Sequence, residues 1–186
     1  MSKFLLVLGV SAVGKSTIIE ELLQLDSRFV YISPYMTRPL RDGEKNKISI
    51  SLVKMKKMQK EGRFIIVNKF YNTYYATPKA QIFEALALGN FPVLDWPISR
   101  MAVMLKLFPS QLYTVYVLPP SISVLKKRLA SDSRDLDMSR LCAAKKELRA
   151  HRLSQYSGMY DIEVIAEENK IKETSSLIYR QFLNSM

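Results

Sequence analysis

Residues Gly9-Val10-Ser11-Ala12-Val13-Gly14-Lys15-Ser16 fill the pattern G-x-x-x-x-G-K-[ST] directly behind the apolar run Phe4–Leu8. Behind the loop, Ile18, Ile19, Leu22, Leu23 and Leu25 keep a helical period, so strand, loop and helix are specified together. Gly9 and Gly14 free the loop backbone to turn its N–H groups inward, around a phosphate at the helix N-terminus. In such a loop Lys15 reaches the β- and γ-phosphates and the Ser16 hydroxyl ligates Mg²⁺. The sequence therefore predicts a binding site for a nucleoside triphosphate.

The chain has 186 residues, 48% of them hydrophobic, enough for one compact core with insertions. A net charge of +11, from 28 Lys and Arg against 17 Asp and Glu, suits polyanionic ligands. Cys142 is the sole cysteine, so no intrachain disulfide forms, and a reducing cytoplasm is the expected setting. Met1-Ser2-Lys3 and the apolar run behind it read as the first strand rather than a secretory signal, because cleavage there would remove the loop. No apolar run approaches the ~18 to 20 residues that span a bilayer, so no membrane partner is expected.

Phe29–Ser33 reads as a second strand, 34–44 as an ordered loop, and Ile48–Leu52 as an alternating, half-buried strand. Val53–Glu61 reads as a basic helix stopped by Gly62. Phe64–Val67 and Phe70–Tyr75 suggest a strand or hairpin, and Pro78–Leu88 a helix. Strands are expected at Phe91–Asp95, Leu112–Leu118 and Ile162–Ala166. Helices are expected at Ser99–Leu107, from Pro119-Pro120-Ser121 through Leu129, at Ser139–Gln155 and at the C-terminus, with 131–137 a polar loop. Strands alternating with helices argue an α/β fold on a parallel sheet.

Phosphoryl transfer needs a metal, alignment and positive charge more than covalent help. Asp95, at the C-terminal end of an apolar strand, is where a carboxylate would meet Mg²⁺. Arg38 and Arg41, three apart in a proline-stiffened loop, can bring two guanidinium forks to one phosphate, with Tyr74, Tyr75 and Thr77 as further hydroxyl donors. Arg128, Arg134 and Arg140 flank the polar loop, which would close over the phosphates as a lid. The stretch with Lys145, Lys146, Arg149, His151 and Arg152 reads as a solvated basic face. It lacks the interleaved aromatics of a nucleic-acid surface. His151 is the sole histidine, which argues against His-based nucleophilic catalysis.

Together these residues resemble the guanylate kinase family over nearly the whole chain. The resemblance is carried by Gly9–Thr17, by Thr37-Arg38-Pro39-Leu40-Arg41-Asp42-Gly43-Glu44, by Tyr74-Tyr75-Ala76-Thr77-Pro78 and by Val93-Leu94-Asp95. Leu118-Pro119-Pro120-Ser121, Arg128-Leu129, Arg140-Leu141 with Ala144 and Glu147, and Tyr160-Asp161 continue it. It implies a P-loop kinase with a core of 1–32, 86–130 and 157–186, an acceptor-binding insertion at about 33–85 and a helical lid at about 130–150. It implies transfer of the γ-phosphate of ATP to GMP with Mg²⁺, by a monomer or homodimer in the cytoplasm. By the same resemblance ATP is held by Gly9, Ser11, Ala12, Val13, Gly14, Lys15, Ser16, Thr17 and Arg128, and the metal by Ser16 and Asp95. The acceptor is held by Arg38, Arg41, Glu44, Tyr75 and Thr77, and Lys15, Arg38, Arg134 and Arg140 serve the transfer.

Departures cluster where guanine is read: the family's base-pairing glutamate falls at Ile66, its hydroxyl-bearing serine at Pro34, and the second aspartate of L-D-x-D at Pro97. A phosphate-binding tyrosine falls at Lys47 or Ile50, and a lid arginine at Asp132. A phosphate grip without a base-reading glutamate is also similar to the ribose 1,5-bisphosphate phosphokinases, so the acceptor is expected to be GMP or a sugar phosphate. A nucleotide-binding scaffold that has lost catalysis is the remaining alternative.

Overall fold

The computed structural model describes residues 3–40, 43–44, 46–70, 72–131 and 138–186. In chain order β1 (Phe4–Leu8) leads through the glycine loop into α1 (Lys15–Leu25) and back to β2 (Phe29–Tyr31). An insertion follows, with β3 (Tyr35–Met36), β4 (Ile48–Ser49), α2 (Leu52–Lys60), β5 (Phe64–Phe70), β6 (Thr73–Pro78) and α3 (Lys79–Ala87). The core resumes with β7 (Phe91–Asp95), a 3₁₀ turn, α4 (Met101–Leu107), β8 (Leu112–Leu118), α5 (Ile122–Ser131) and α6 (Ser139–Arg152). It ends with β9 (Ile162–Ile165), a second 3₁₀ turn and α7 (Ile171–Asn184).

The core sheet runs β2-β7-β1-β8-β9 with every pairing parallel. β1 lies at its centre, which explains why its five residues are all apolar: each face meets a helical layer. Leu5 and Val7 point into a cluster with Ile18 and Leu22 of α1, Val115, Leu125, and Ile178 and Phe182 of α7. Phe4, Leu6 and Leu8 point the other way, onto Ile82, Leu94, Trp96, Met101, Met104, Phe108 and Tyr116. The two layers fix the C-terminal ends of β1 and β7 side by side, with Val7 opposite Asp95.

The insertion builds a second, mixed sheet, β4-β3-β6-β5, in which β6 pairs antiparallel with β3 and β5. The ordered loop expected at 34–44 thus contains a strand, Tyr35–Met36. The expected strand Ile48–Leu52 stops at Ser49. There the Ser51 hydroxyl accepts a hydrogen bond from Lys54 N at 3.2 Å, capping α2 so that Leu52 begins a helix. A cap outweighs three residues of alternation, because it satisfies a helix donor that a strand would leave to water. The second strand ends at Tyr31 rather than Ser33, and the last at Ile165. The long helix stops at Arg152 rather than near Gln155. Of the polar loop expected at 131–137, residues 132–137 lie outside the described residues, and Ser131 closes α5. No helix among the described residues is long and apolar enough to cross a membrane.

Candidate active site

The loop leaving β1 is shaped by its glycines. Gly9 has φ +128°, and a Cβ there would lie 2.5 Å from the Val117 carbonyl oxygen, so the loop passes closer to β8 than any side chain permits. Gly14, at φ +118°, turns the chain into α1, whose first residue is Lys15 and whose N-terminus is capped by no described side chain. The first-turn N–H groups are thereby left for an anion, where the helix dipole also favours negative charge.

Lys15 folds back over the loop, its Nζ donating to Gly9 O at 2.6 Å and Val10 O at 2.8 Å. Burial pushes its pKa below the ordinary lysine value. The carboxylates of Asp95 and Glu147 oppose that shift and the charge of Lys47 adds to it. Asp95 stands at the end of β7, where its Oδ1 accepts a 2.6 Å hydrogen bond from the Tyr31 hydroxyl. Burial chiefly, and Asp95 next, raise the pKa of that hydroxyl, so it stays a donor. Arg128 ties the loop to the chain leaving β9: Nη1 donates to Val13 O at 2.9 Å and Nη2 to Ala166 O at 3.2 Å.

Across the cleft the insertion presents side chains. Arg38 grips Glu44 with both ends of its fork, at 2.7 and 2.6 Å. The Glu44 hydrogen bond is the main cause that raises the Arg38 pKa still further. Glu44 also stands 3.9 Å from Lys47, whose ammonium lies 6.0 Å from the Tyr75 ring centroid. One cleft of about 810 Å³ is lined by the loop from Gly9 to Thr17, by Arg38, Lys47, Asn68, Tyr75 and Thr77 of the insertion, and by Asp95, Arg128, Arg140 and Glu147.

The two walls thus bring together most residues singled out from the sequence. Arg41 and Arg134 lie outside the described residues. Glu44 stands behind Arg38 and orients it, while Tyr75 and Thr77 face the cleft. The strand alternation turns Tyr74 away, under the Lys69 ammonium at 5.6 Å. His151, expected on a solvated face, is half-buried instead. Its ring stacks on Tyr116 at 4.6 Å, and its Nε2 lies 2.7 Å from Glu163 and 3.0 Å from the Tyr160 hydroxyl.

Sequence reasoning assigned no site role to Asn68, Trp96 or Glu147, all on the cleft. The Tyr116 hydroxyl donates to Glu147 Oε1 at 3.0 Å, and burial raises the Glu147 pKa above the ordinary carboxyl value. Glu147 and Trp96 lie within recognised motifs and Asn68 beside one, but only the pairing of β5 with β6 and the facing of α6 reveal which way Asn68 and Glu147 point.

The sequence profile of the guanylate kinase family matches residues 1–184. The guanylate kinase of Nostoc sp. is 29% identical over 172 residues, covering 89% of this chain and 83% of its own. That of Rickettsia prowazekii is 32% identical over 167 residues, covering 85% and 80%. The crystal structure of guanylate kinase from Anaplasma phagocytophilum shares the fold with a TM-score of 0.76 at 18% identity, over 98% of this chain and 85% of that one. Parallel sheet, glycine loop and two-walled cleft define a P-loop kinase. Within that class, the chain belongs to the guanylate kinase family.

Proposed function

We propose that the protein is an ATP-dependent phosphotransferase of the guanylate kinase type, moving the γ-phosphoryl group of ATP to GMP or a closely similar phosphorylated acceptor. The observation that carries this reading is the single cleft with the phosphate loop on one wall and Arg38, Lys47 and Tyr75 on the other. An acceptor phosphate held by the second wall points an oxygen at the γ-phosphorus held by the first. The new P–O bond forms there as the bond to the β,γ-bridging oxygen breaks and ADP leaves.

In this reading Lys15 exchanges its two loop carbonyls for phosphate oxygens, and Asp95 and Glu147 offset part of the burial that disfavours its charge. Arg140, on the cleft wall at the start of α6, faces the moving group. Arg38 and Tyr75 fix the acceptor phosphate, with Glu44 aligning the Arg38 fork. Arg41 and Arg134 would join the acceptor grip and the transfer. Residues of about 33–85 act as the acceptor-binding insertion and about 130–150 as a lid over the donor.

ATP with Mg²⁺ is the general donor of the family. Mg²⁺ fits the oxygens present: the Ser16 hydroxyl and the Asp95 carboxylate, with one oxygen engaged by Tyr31, share the cleft. No cluster of three acidic, His or Cys side chains gathers among the described residues, so phosphate oxygens and water would complete the shell. When bound, the ion neutralises charge on the transferred phosphate.

A coupled ADP-release assay with GMP, dGMP, other nucleoside monophosphates and ribose 1,5-bisphosphate tests the reading. It predicts turnover with GMP. Turnover with the sugar phosphate alone, or tight ATP binding with no turnover, would contradict it.

A further inference from the structure

Asn68 is only 7% exposed, yet it lines the cleft, and among the described residues its side-chain amide receives and gives no hydrogen bond. Its amide, with one acceptor oxygen and two donor hydrogens, opens onto the cleft, so both functions are available to a ligand there. The strand pairing fixes its direction. Asn68 lies opposite Tyr75, and Ile66 opposite Thr77, so Asn68 shares a face with Tyr75, Thr77 and Phe70, all of them on the cleft. Ile66, two residues away on the same strand, packs against the apolar layer of Phe4, Leu6 and Trp96 and offers no polar atom to a ligand.

The geometry points to Asn68 as the residue that reads the acceptor's base, through its side-chain amide. The inference rests on the nucleotide-kinase reading above and names its specificity. A carboxylate only accepts, so a glutamate pairs with two adjacent N–H donors and demands the 2-amino group of guanine. An amide donates and accepts side by side, which matches a lactam edge: its N–H₂ donates to O6 and its oxygen accepts from N1–H. Guanine and hypoxanthine present the same lactam. The acceptor site therefore takes 6-oxopurine nucleoside monophosphates with little regard for the 2-amino group.

The test measures kcat/KM for GMP, IMP and AMP in the wild type, Asn68→Ala and Asn68→Asp, with melting temperature and ATP KM as checks on folding and on the donor wall. The wild type is expected to use IMP within about tenfold of GMP, since no buried group is left unpaired when the 2-amino group is missing. Asn68→Ala should lower both by about tenfold with ATP KM unmoved, the loss expected for one hydrogen-bonding side chain. Asn68→Asp, an acceptor only, should penalise IMP more than GMP.

Preference for GMP over IMP beyond about a thousandfold would overturn the assignment, because that ratio marks a site built around the 2-amino group. Asn68→Ala acting like wild type on GMP would also overturn it. AMP used as well as GMP would mean that the amide pairs in the opposite sense, and the lactam assignment would fall. If Asn68→Ala does not fold, the wild-type GMP-to-IMP ratio decides alone. Failure of every nucleoside monophosphate to release ADP contradicts the kinase reading itself; normal GMP turnover with any of the preceding results contradicts only the role of Asn68.

Discussion

The two walls of the cleft are built in different ways. The donor wall is made of backbone: Gly9 and Gly14 hold conformations that side chains resist, Lys15 and Arg128 bond to main-chain oxygens, and α1 begins at the loop. The acceptor wall is made of side chains standing on a four-stranded sheet: Arg38 aligned by Glu44, Lys47 beside Tyr75, and Asn68 opposite Tyr75 on the neighbouring strand. A site dictated by backbone holds one kind of group, here a chain of phosphates. A site dictated by side chains can change what it reads by one or two substitutions while the scaffold stays.

Substitutions on the two walls should therefore fail differently. The largest effect is expected for Lys15→Ala, with kcat reduced about a thousandfold and the fold retained, because the removed ammonium acts on charge that develops during transfer. Steady-state kinetics with a melting curve checks it, and near-normal turnover would break the donor half of the comparison.

Gly9→Ala comes next and is a stability effect. The added methyl meets the Val117 carbonyl at 2.5 Å in a backbone region that alanine resists, so a loss of roughly 2 to 4 kcal/mol is expected in denaturant unfolding. A loss near zero would mean that the loop is not held against β8.

On the acceptor wall Glu44→Gln should leave ATP KM in place and raise acceptor KM about tenfold, since Arg38 loses a charge-assisted partner rather than its own charge. Equal effects on both substrates would blur the distinction between the walls.

Smaller still are the pH effects. Burial raises the Glu147 pKa above its ordinary value of 4.5, so the folded state holds this proton more tightly than the unfolded chain. Its contribution to stability is full below 4.5 and is lost as pH rises through the raised folded value. Glu147→Gln should flatten that limb of a melting-temperature profile.

Far from both walls, hydrogen bonds from Arg28 chiefly hold Asp26 at about 2, below its ordinary 3.8. That contribution is present above 3.8 and is lost as pH falls through about 2. Arg28→Ala should move the onset of acid unfolding slightly upward in pH, the smallest effect, because the Arg28 side chain is half exposed and solvent screens the pair.

What the chain made legible follows the same division. Gly9, Gly14, Lys15 and Ser16 are recognisable because a phosphate loop needs those residue types at that spacing, and β8 appears at its full length because it is dominated by aliphatic and aromatic residues and its interior is buried on both faces. Arg38 and Tyr75 were legible as candidate site residues because each belongs to a short motif, and both line the cleft. Asn68 and Glu147 were not. Nothing in their neighbours says which face they occupy until β5 pairs with β6 and α6 packs with Leu141, Ala144 and Leu148 inward. Ser51 shows the reverse failure: a local cap converted an alternating strand pattern into the start of a helix.

The central claim is that both walls serve one transfer. Phosphorus NMR of the protein with ATP, Mg²⁺ and GMP tests it most directly. ADP and GDP should appear one for one, with no inorganic phosphate. ADP and inorganic phosphate without GDP, or no change at all, would contradict it.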